Sequence, residues 1–139
     1  MKAYIDTNIL VDLVLAREKW LADAQQVFAL GYSGDVDLVV SALSFVNTVY
    51  LGKKYSFSSE EVANKLLLIA DFVEVADLRG SNVVGMLNSD WKDYEDATQY
   101  SSAIETGADY IITRNKKDFK NSEIPVVTAS EFFALFNKD

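Results

Sequence analysis

Asp93 and Asp96 stand three residues apart in DYEDATQYSSAIETGADYIITRNKKDF, residues 93–119, a spacing that puts both carboxyls on one face at a helix start. Asp6 follows the short apolar run Ala3-Tyr4-Ile5, and Asp118 follows Tyr110-Ile111-Ile112 by way of a polar turn. If those two runs are parallel strands, their carboxyl ends lie on one sheet edge, the edge where open α/β sheets bind ligands. The helix beginning at Asp93 leads into the strand at Tyr110 and runs antiparallel to it, so its first turn returns to the same edge. Asp6, Asp96 and Asp118 are therefore expected to meet. Three carboxylates do not sit together ionised without a cation, and ligands of this kind select a hard divalent ion, Mg2+ or Mn2+. Each aspartate alone also fits a plainer role: Asp6, Asp93 and Asp96 as helix caps, Asp118 as a solvated turn charge. What distinguishes them is that all fall on one edge.

The elements that must hold these residues read as short apolar strands alternating with helices. Strands are expected at 3–5, 37–40, 71–75, 110–112 and 126–127. Helices are expected through Ile9, Leu10, Leu13 and Val14, then over 20–30, then after a Ser44 cap through Val46, Val49 and Tyr50. Ser58 and Glu61 form a capping box ahead of an apolar body at 62–69. A weak helix at 79–88 carries Gly80 and Gly85. The helix from Asp93 has Ala97, Tyr100, Ala103 and Ile104 as its buried stripe and Gly107 as its stop. A final helix, capped by Thr128 or Ser130, carries Phe132, Phe133, Leu135 and Phe136. The expected fold is one three-layer α/β/α domain over residues 1–139, around a short parallel sheet of four to five strands.

The chain has neither cysteine nor histidine. That excludes disulfides, zinc sites of the usual Cys/His kind, and mechanisms built on a histidine base or cysteine nucleophile. Asp6 and Asp12 interrupt any apolar run near the start, and no stretch is long enough to span a membrane, so a cytoplasmic protein with no membrane partner is expected. A net charge of −8 argues against broad electrostatic binding to nucleic acid. Clustered carboxylates contribute to that sum, however, and a bound cation would reverse their local field. Leu13, Val14, Trp20, Leu21, Val49, Tyr50, Tyr55 and Phe57 are more apolar surface than one small sheet covers, so part of it is available for a homodimer or a protein partner. The alternative is that all of it is core.

Four motifs taken in order resemble the PIN domain family, which includes the ribonuclease toxins of bacterial toxin–antitoxin pairs. They are Tyr4-Ile5-Asp6-Thr7-Asn8-Ile9-Leu10, Ser41-Ala42-Leu43, Asp93-Tyr94-Glu95-Asp96-Ala97 with Ala103, and Thr113-Arg114-Asn115-Lys116-Lys117-Asp118-Phe119. One position departs from the pattern. Six residues after Ser41, where the family usually has glutamate, stands Asn47, which can ligate a cation but brings no charge. Glu95 lies one residue off the Asp93–Asp96 face and is not expected to substitute.

The resemblance implies a PIN-like fold and metal-dependent hydrolysis of single-stranded RNA, with Asp6, Asp96 and Asp118 as catalytic metal ligands. It implies that Asn8, Thr113 and Asn115 orient ligands or phosphate, with Asn47 and Asp93 in supporting places. Arg114, Lys116 and Lys117, with Lys120, would form a local patch for the RNA backbone, or else a solvated loop. An antitoxin protein is the implied partner. Asn47 motivates the alternative, a catalytically weakened PIN-like domain that binds RNA or a protein. A phosphatase or response-regulator domain would also place an aspartate after the first strand, but it calls for a second aspartate two residues on, where Asn8 stands.

Overall fold

The computed structural model describes residues 1–136. Its strands are β1 (Lys2–Ile5), β2 (Asp37–Ser41), β3 (Glu74–Ala76), β4 (Tyr110–Ile112) and β5 (Val126–Val127), paired in one parallel sheet in the order β3-β2-β1-β4-β5. The chain lays down β1, β2 and β3 in one direction, then crosses back to place β4 and β5 on the other side. The order therefore reverses between β1 and β4, and a crevice opens there at the carboxyl ends of the strands.

Apolar side chains alternate across the sheet. Ala3 and Ile5, Leu38 and Val40, and Ile112 face one core, while Tyr4, Val39 and Ile111 face another. Apolar residues on both faces are what a sheet covered on both sides requires. The larger core is completed by α1 (Thr7–Val14), α2 (Leu21–Tyr32), α4 (Ser59–Ala70) and α7 (Ala129–Phe136). The smaller core lies under α6 (Tyr94–Glu105), where Ala103 and Phe119 are buried and Trp91 and Tyr100 pack alongside. With α3 (Ala42–Lys54) and α5 (Gly80–Leu87), seven helices among the described residues flank the sheet in an α/β/α arrangement.

Each helix that serves the crevice starts directly at a strand end or a polar cap. Asp6 has extended backbone and accepts from the Thr7 amide, which starts α1. Ser41, rather than Ser44, caps α3: it closes β2 in the extended conformation a cap needs, and its Oγ accepts from the Leu43 amide at 3.1 Å. Ser44 instead sits buried inside the first turn. Thr128 and Glu131 cap α7 reciprocally, Thr128 Oγ1 accepting from the Glu131 amide and Glu131 Oε1 from the Thr128 amide. Gly107 ends the α6 segment with a φ of 72°, as its position predicts.

Two further expectations are corrected, and a third is resolved residue by residue. The third strand begins at Glu74 rather than residue 71, because the amides of Phe72 and Val73 still bond to the Ile69 carbonyl as the chain unwinds from α4. Ile104 is 48% exposed, and the buried face of α6 is completed instead by the polar residues Thr98, Gln99 and Ser102. Of the apolar residues proposed for a partner surface, Leu13, Val14, Val49 and Phe57 belong to or pack on the larger core, whereas Tyr50 and Tyr55 remain exposed. No helix among the described residues is long and apolar enough to cross a membrane.

Candidate active site

Asp6 is the buried floor of the crevice. Its amide continues the sheet by donating to the Ile112 carbonyl at 3.0 Å, which ties β1 to β4 beyond the last paired residue. One carboxylate oxygen accepts from the Thr7 amide at 2.8 Å, the other from the Thr113 hydroxyl at 2.8 Å. Thr113 can donate only once, and that proton goes to Asp6. The same Oγ1 accepts from Asn8 Nδ2 at 3.3 Å and from the Asn115 amide at 3.1 Å. Asn8 in turn accepts the Arg114 amide, so Asn8 and Thr113 lock the first and fourth motifs together.

Asp96 comes from the first turn of α6. Asp93 is the cap of that helix, its Oδ1 accepting from the amides of Glu95 and Asp96 at 2.8 and 3.2 Å. The helix start thus returns to the strand ends, as its antiparallel course predicts, and delivers two carboxylates rather than one. Oxygens of Asp6, Glu95 and Asp96 lie within 4.8 Å of one another. Glu95 reaches the group because Gln99, one helical turn on, donates to its Oε1 at 2.9 Å. Its exclusion on helical phase alone is corrected by that contact.

The cluster is electrostatically strained. Burial, followed by the charges of Asp6, Asp93, Glu95 and Asp118, pushes Asp96 up to about 8. Burial pushes Asp6 up to about 6, with Glu95 and Asp118 adding to the rise and the bonds from Thr113 and Thr7 opposing it. Hard oxygen donors crowded at this separation, two of them resisting ionisation, fit a hard divalent cation. Asp118 stands outside the close group, exposed on the short 3-10 turn Lys116–Phe119, near enough for its charge to be felt by both aspartates.

Two cavities meet at Asp96. One, about 360 Å³, is lined by Asp6, Asn8, Asn47, Glu95, Asp96 and Asn115. The second, about 510 Å³, is lined on the far side by Lys92, Asp93, Asp96, Lys117, Asp118 and Lys120. The expected basic patch is redistributed. Arg114 turns away from the crevice to pair with Asp12 and lies over the Trp20 ring, 3.8 Å from its centroid. Lys116 pairs with Glu131 at 2.9 Å. Lys117 and Lys120 stay beside the carboxylates, joined by Lys92, which the motifs did not single out.

A five-stranded parallel sheet with carboxylates gathered at its switch point makes this a three-layer α/β/α domain with an acidic edge. The family model of the PIN domain matches residues 2–117, and the chain belongs to that family. No curated protein sequence matches it. Among solved structures, VapBC2 of Rickettsia felis, bound to a DNA fragment from its promoter, is similar at 20% identity and a TM-score of 0.66, over 91% of this chain and 97% of that one. A toxin–antitoxin complex from Klebsiella pneumoniae is similar at 26% identity and a TM-score of 0.65, again over 91% and 97%. VapC20 of Mycobacterium tuberculosis, a toxin that cleaves the sarcin–ricin loop, is similar at 15% identity and a TM-score of 0.63, over 78% and 86%.

Proposed function

We propose that this PIN domain is a divalent-metal-dependent endoribonuclease acting on single-stranded RNA in the cytoplasm, and the toxin of a toxin–antitoxin pair. The observation that carries the reading is the convergence of Asp6 and Asp96 with a third carboxylate at the switch point, where burial and mutual repulsion raise both aspartates. Asp6 and Asp96 would hold Mg2+ or Mn2+, with Asp118 approaching from the rim. When bound, such an ion supplies a polarised phosphate and an acidified water.

The residues around it have separable tasks. Thr113 holds Asp6 in one rotamer and keeps a proton on its Oδ2 side. Asn8 fixes the Thr113 hydroxyl, and Asn115 and Asn47 present amides to the cavity where a phosphate would lie. Lys117, Lys120 and Lys92 stand among the aspartates of the neighbouring cavity, where each could contact a phosphate of the strand. Partnership with an antitoxin is supported by the likeness to toxin–antitoxin complexes, and exposed Tyr50 and Tyr55 are apolar surface that an antitoxin or a second copy would cover.

One observation favours a second reading. Asn47 brings no charge to the cavity, which suits a catalytically weakened domain that binds RNA or a protein. Cleavage of a mixed-sequence single-stranded RNA in Mn2+ decides between them. Wild-type cleavage that stops with EDTA and in Asp6→Asn supports the nuclease. Absence of cleavage by wild type at any Mn2+ concentration favours the binding domain.

A further inference from the structure

Gln99 is 1% exposed, yet its side chain is an amide on a helix face turned toward the sheet. A buried amide persists only if its hydrogen bonds are made, and here each end has a partner. Oε1 accepts from the Tyr4 hydroxyl at 2.5 Å. Nε2 donates toward Glu95 Oε1 at 2.9 Å, Thr7 Oγ1 at 3.0 Å and Ser44 Oγ at 3.1 Å. The orientation of the amide follows from chemistry, because an ionised carboxylate accepts and never donates. Tyr4 is wholly buried in the smaller core, and its hydroxyl donates to the Gln99 oxygen. A chain of hydrogen bonds therefore runs from the centre of the sheet, through Tyr4 and Gln99, to the carboxylate of Glu95.

Glu95 would otherwise be a long, flexible side chain in the first turn of a helix. A carboxylate near Asp6 and Asp96 is repelled by both, and with no opposing contact it would swing to solvent. The Gln99 amide, together with a longer contact from Thr7 Oγ1 at 3.4 Å, holds it inward. Both contacts fall on Oε1, and a ligand bound through a single oxygen needs only the other. Across the cavity Asn47 carries no carboxyl group, so the third carboxyl of the group is that of Glu95.

We infer that Glu95 is a charged ligand of the divalent ion in this chain, and that Gln99 is the positioning residue that aims it, anchored from the core by Tyr4. The inference rests on the metal-binding reading above and assigns a ligand to it. Partners that orient metal ligands are worth about 10–100-fold in affinity. Glu95→Gln keeps the shape and most hydrogen-bonding capacity but removes the charge. Gln99→Met keeps the volume but removes the donor.

The test is isothermal titration of the metal-free full chain with Mn2+, with no RNA present. Glu95→Gln is expected to weaken Mn2+ binding about tenfold or more, and Gln99→Met by about tenfold. Because Gln99 acts through Glu95, adding Gln99→Met to Glu95→Gln should weaken binding no further. A merely structural role for Gln99 would instead lower the unfolding midpoint and weaken Mn2+ equally in both backgrounds, which overturns the positioning role. Glu95→Gln with wild-type Mn2+ affinity overturns the ligand assignment, and does so even if Gln99→Met fails to fold. Asp96→Asn separates the two levels. If Glu95→Gln binds normally while Asp96→Asn does not, the inference fails and the metal-binding reading stands. Wild-type protein that takes up no Mn2+ removes both.

Discussion

The Arg114 guanidinium donates to both oxygens of Asp12, Nε to Oδ2 at 2.7 Å and Nη2 to Oδ1 at 3.2 Å. The Asp12 side chain is 1% exposed, and Arg17 Nη1 lies 3.8 Å from the same Oδ1. Burial raises Asp12, and the arginines offset that rise. Breaking a buried pair by removing one partner leaves an uncompensated charge. Arg114→Ala should therefore cost about 3 kcal/mol in urea unfolding, moderated by Arg17. Asp12→Ala in the Arg114→Ala background should recover part of that loss. If Arg114→Ala instead leaves stability unchanged and weakens RNA binding, Arg114 belongs to the substrate path after all.

The metal-free protein should lose stability as pH rises from about 5 to about 8. Asp6 and Asp96 sit at about 6 and about 8 in the fold, against an ordinary value of 3.8. Well below pH 4, folded and unfolded chains both hold these protons and nothing is lost. Between pH 5 and 8 the unfolded chain has released protons that the folded chain keeps, so unfolding becomes easier as pH rises. Glu131, lowered chiefly by the Thr128 amide and by Lys116, changes stability in the opposite sense, but only below about pH 5. Thermal unfolding in EDTA across this window should show a falling midpoint, and Mn2+ should flatten it. Asp96→Asn should raise the metal-free midpoint at pH 8 and abolish most of the slope.

Lys117 and Lys120 flank Asp118 in the cavity beyond Asp96, whereas Arg114 and Lys116 are engaged elsewhere. Replacing both Lys117 and Lys120 with alanine should raise KM for single-stranded RNA with little change in kcat. It should also lower the slope of log KM against log salt by about 1.4, the release expected for two phosphate contacts on a single strand. An unchanged salt slope would show that the strand does not cross this cavity.

Asn47→Glu would add a fourth acid to the cavity that Asp6, Glu95 and Asp96 share. In EDTA at pH 8 its midpoint should fall below that of wild type, and in Mn2+ the order should reverse. RNA cleavage should rise or hold. Lower midpoints in both conditions, with no cleavage, would point to the binding-domain reading.

Gly52 lies where α3 meets α4. A Cβ built there would stand 2.7 Å from Val62 Cγ2, a short, stiff side chain that cannot swing aside. Gly52→Ala should therefore destabilise by about 1–3 kcal/mol despite its better helix propensity. Pairing it with Val62→Ala should restore much of that loss.

How far the sequence alone reaches is clearest at Asp6, Asp96 and Glu95. The alternation of short apolar runs with helices determined a parallel sheet, and a parallel sheet puts every strand-to-helix turn on one edge. Asp6 after β1 and Asp96 at the start of α6 were legible for that reason: each follows from period and chain direction, which are local properties. Motif order carried the family. Glu95 was misjudged because helical phase says where a residue starts on a cylinder, not where a neighbour pulls its side chain. That neighbour, Gln99, is engaged by Tyr4, Thr7 and Ser44 from three other segments. Arg114 was misread for the same reason: its motif suggested phosphate, but a buried aspartate 102 positions away claims it. Propensity, period and caps are written in neighbouring residues. The partners of a long polar side chain are chosen by packing, and only the tertiary structure brings them within reach.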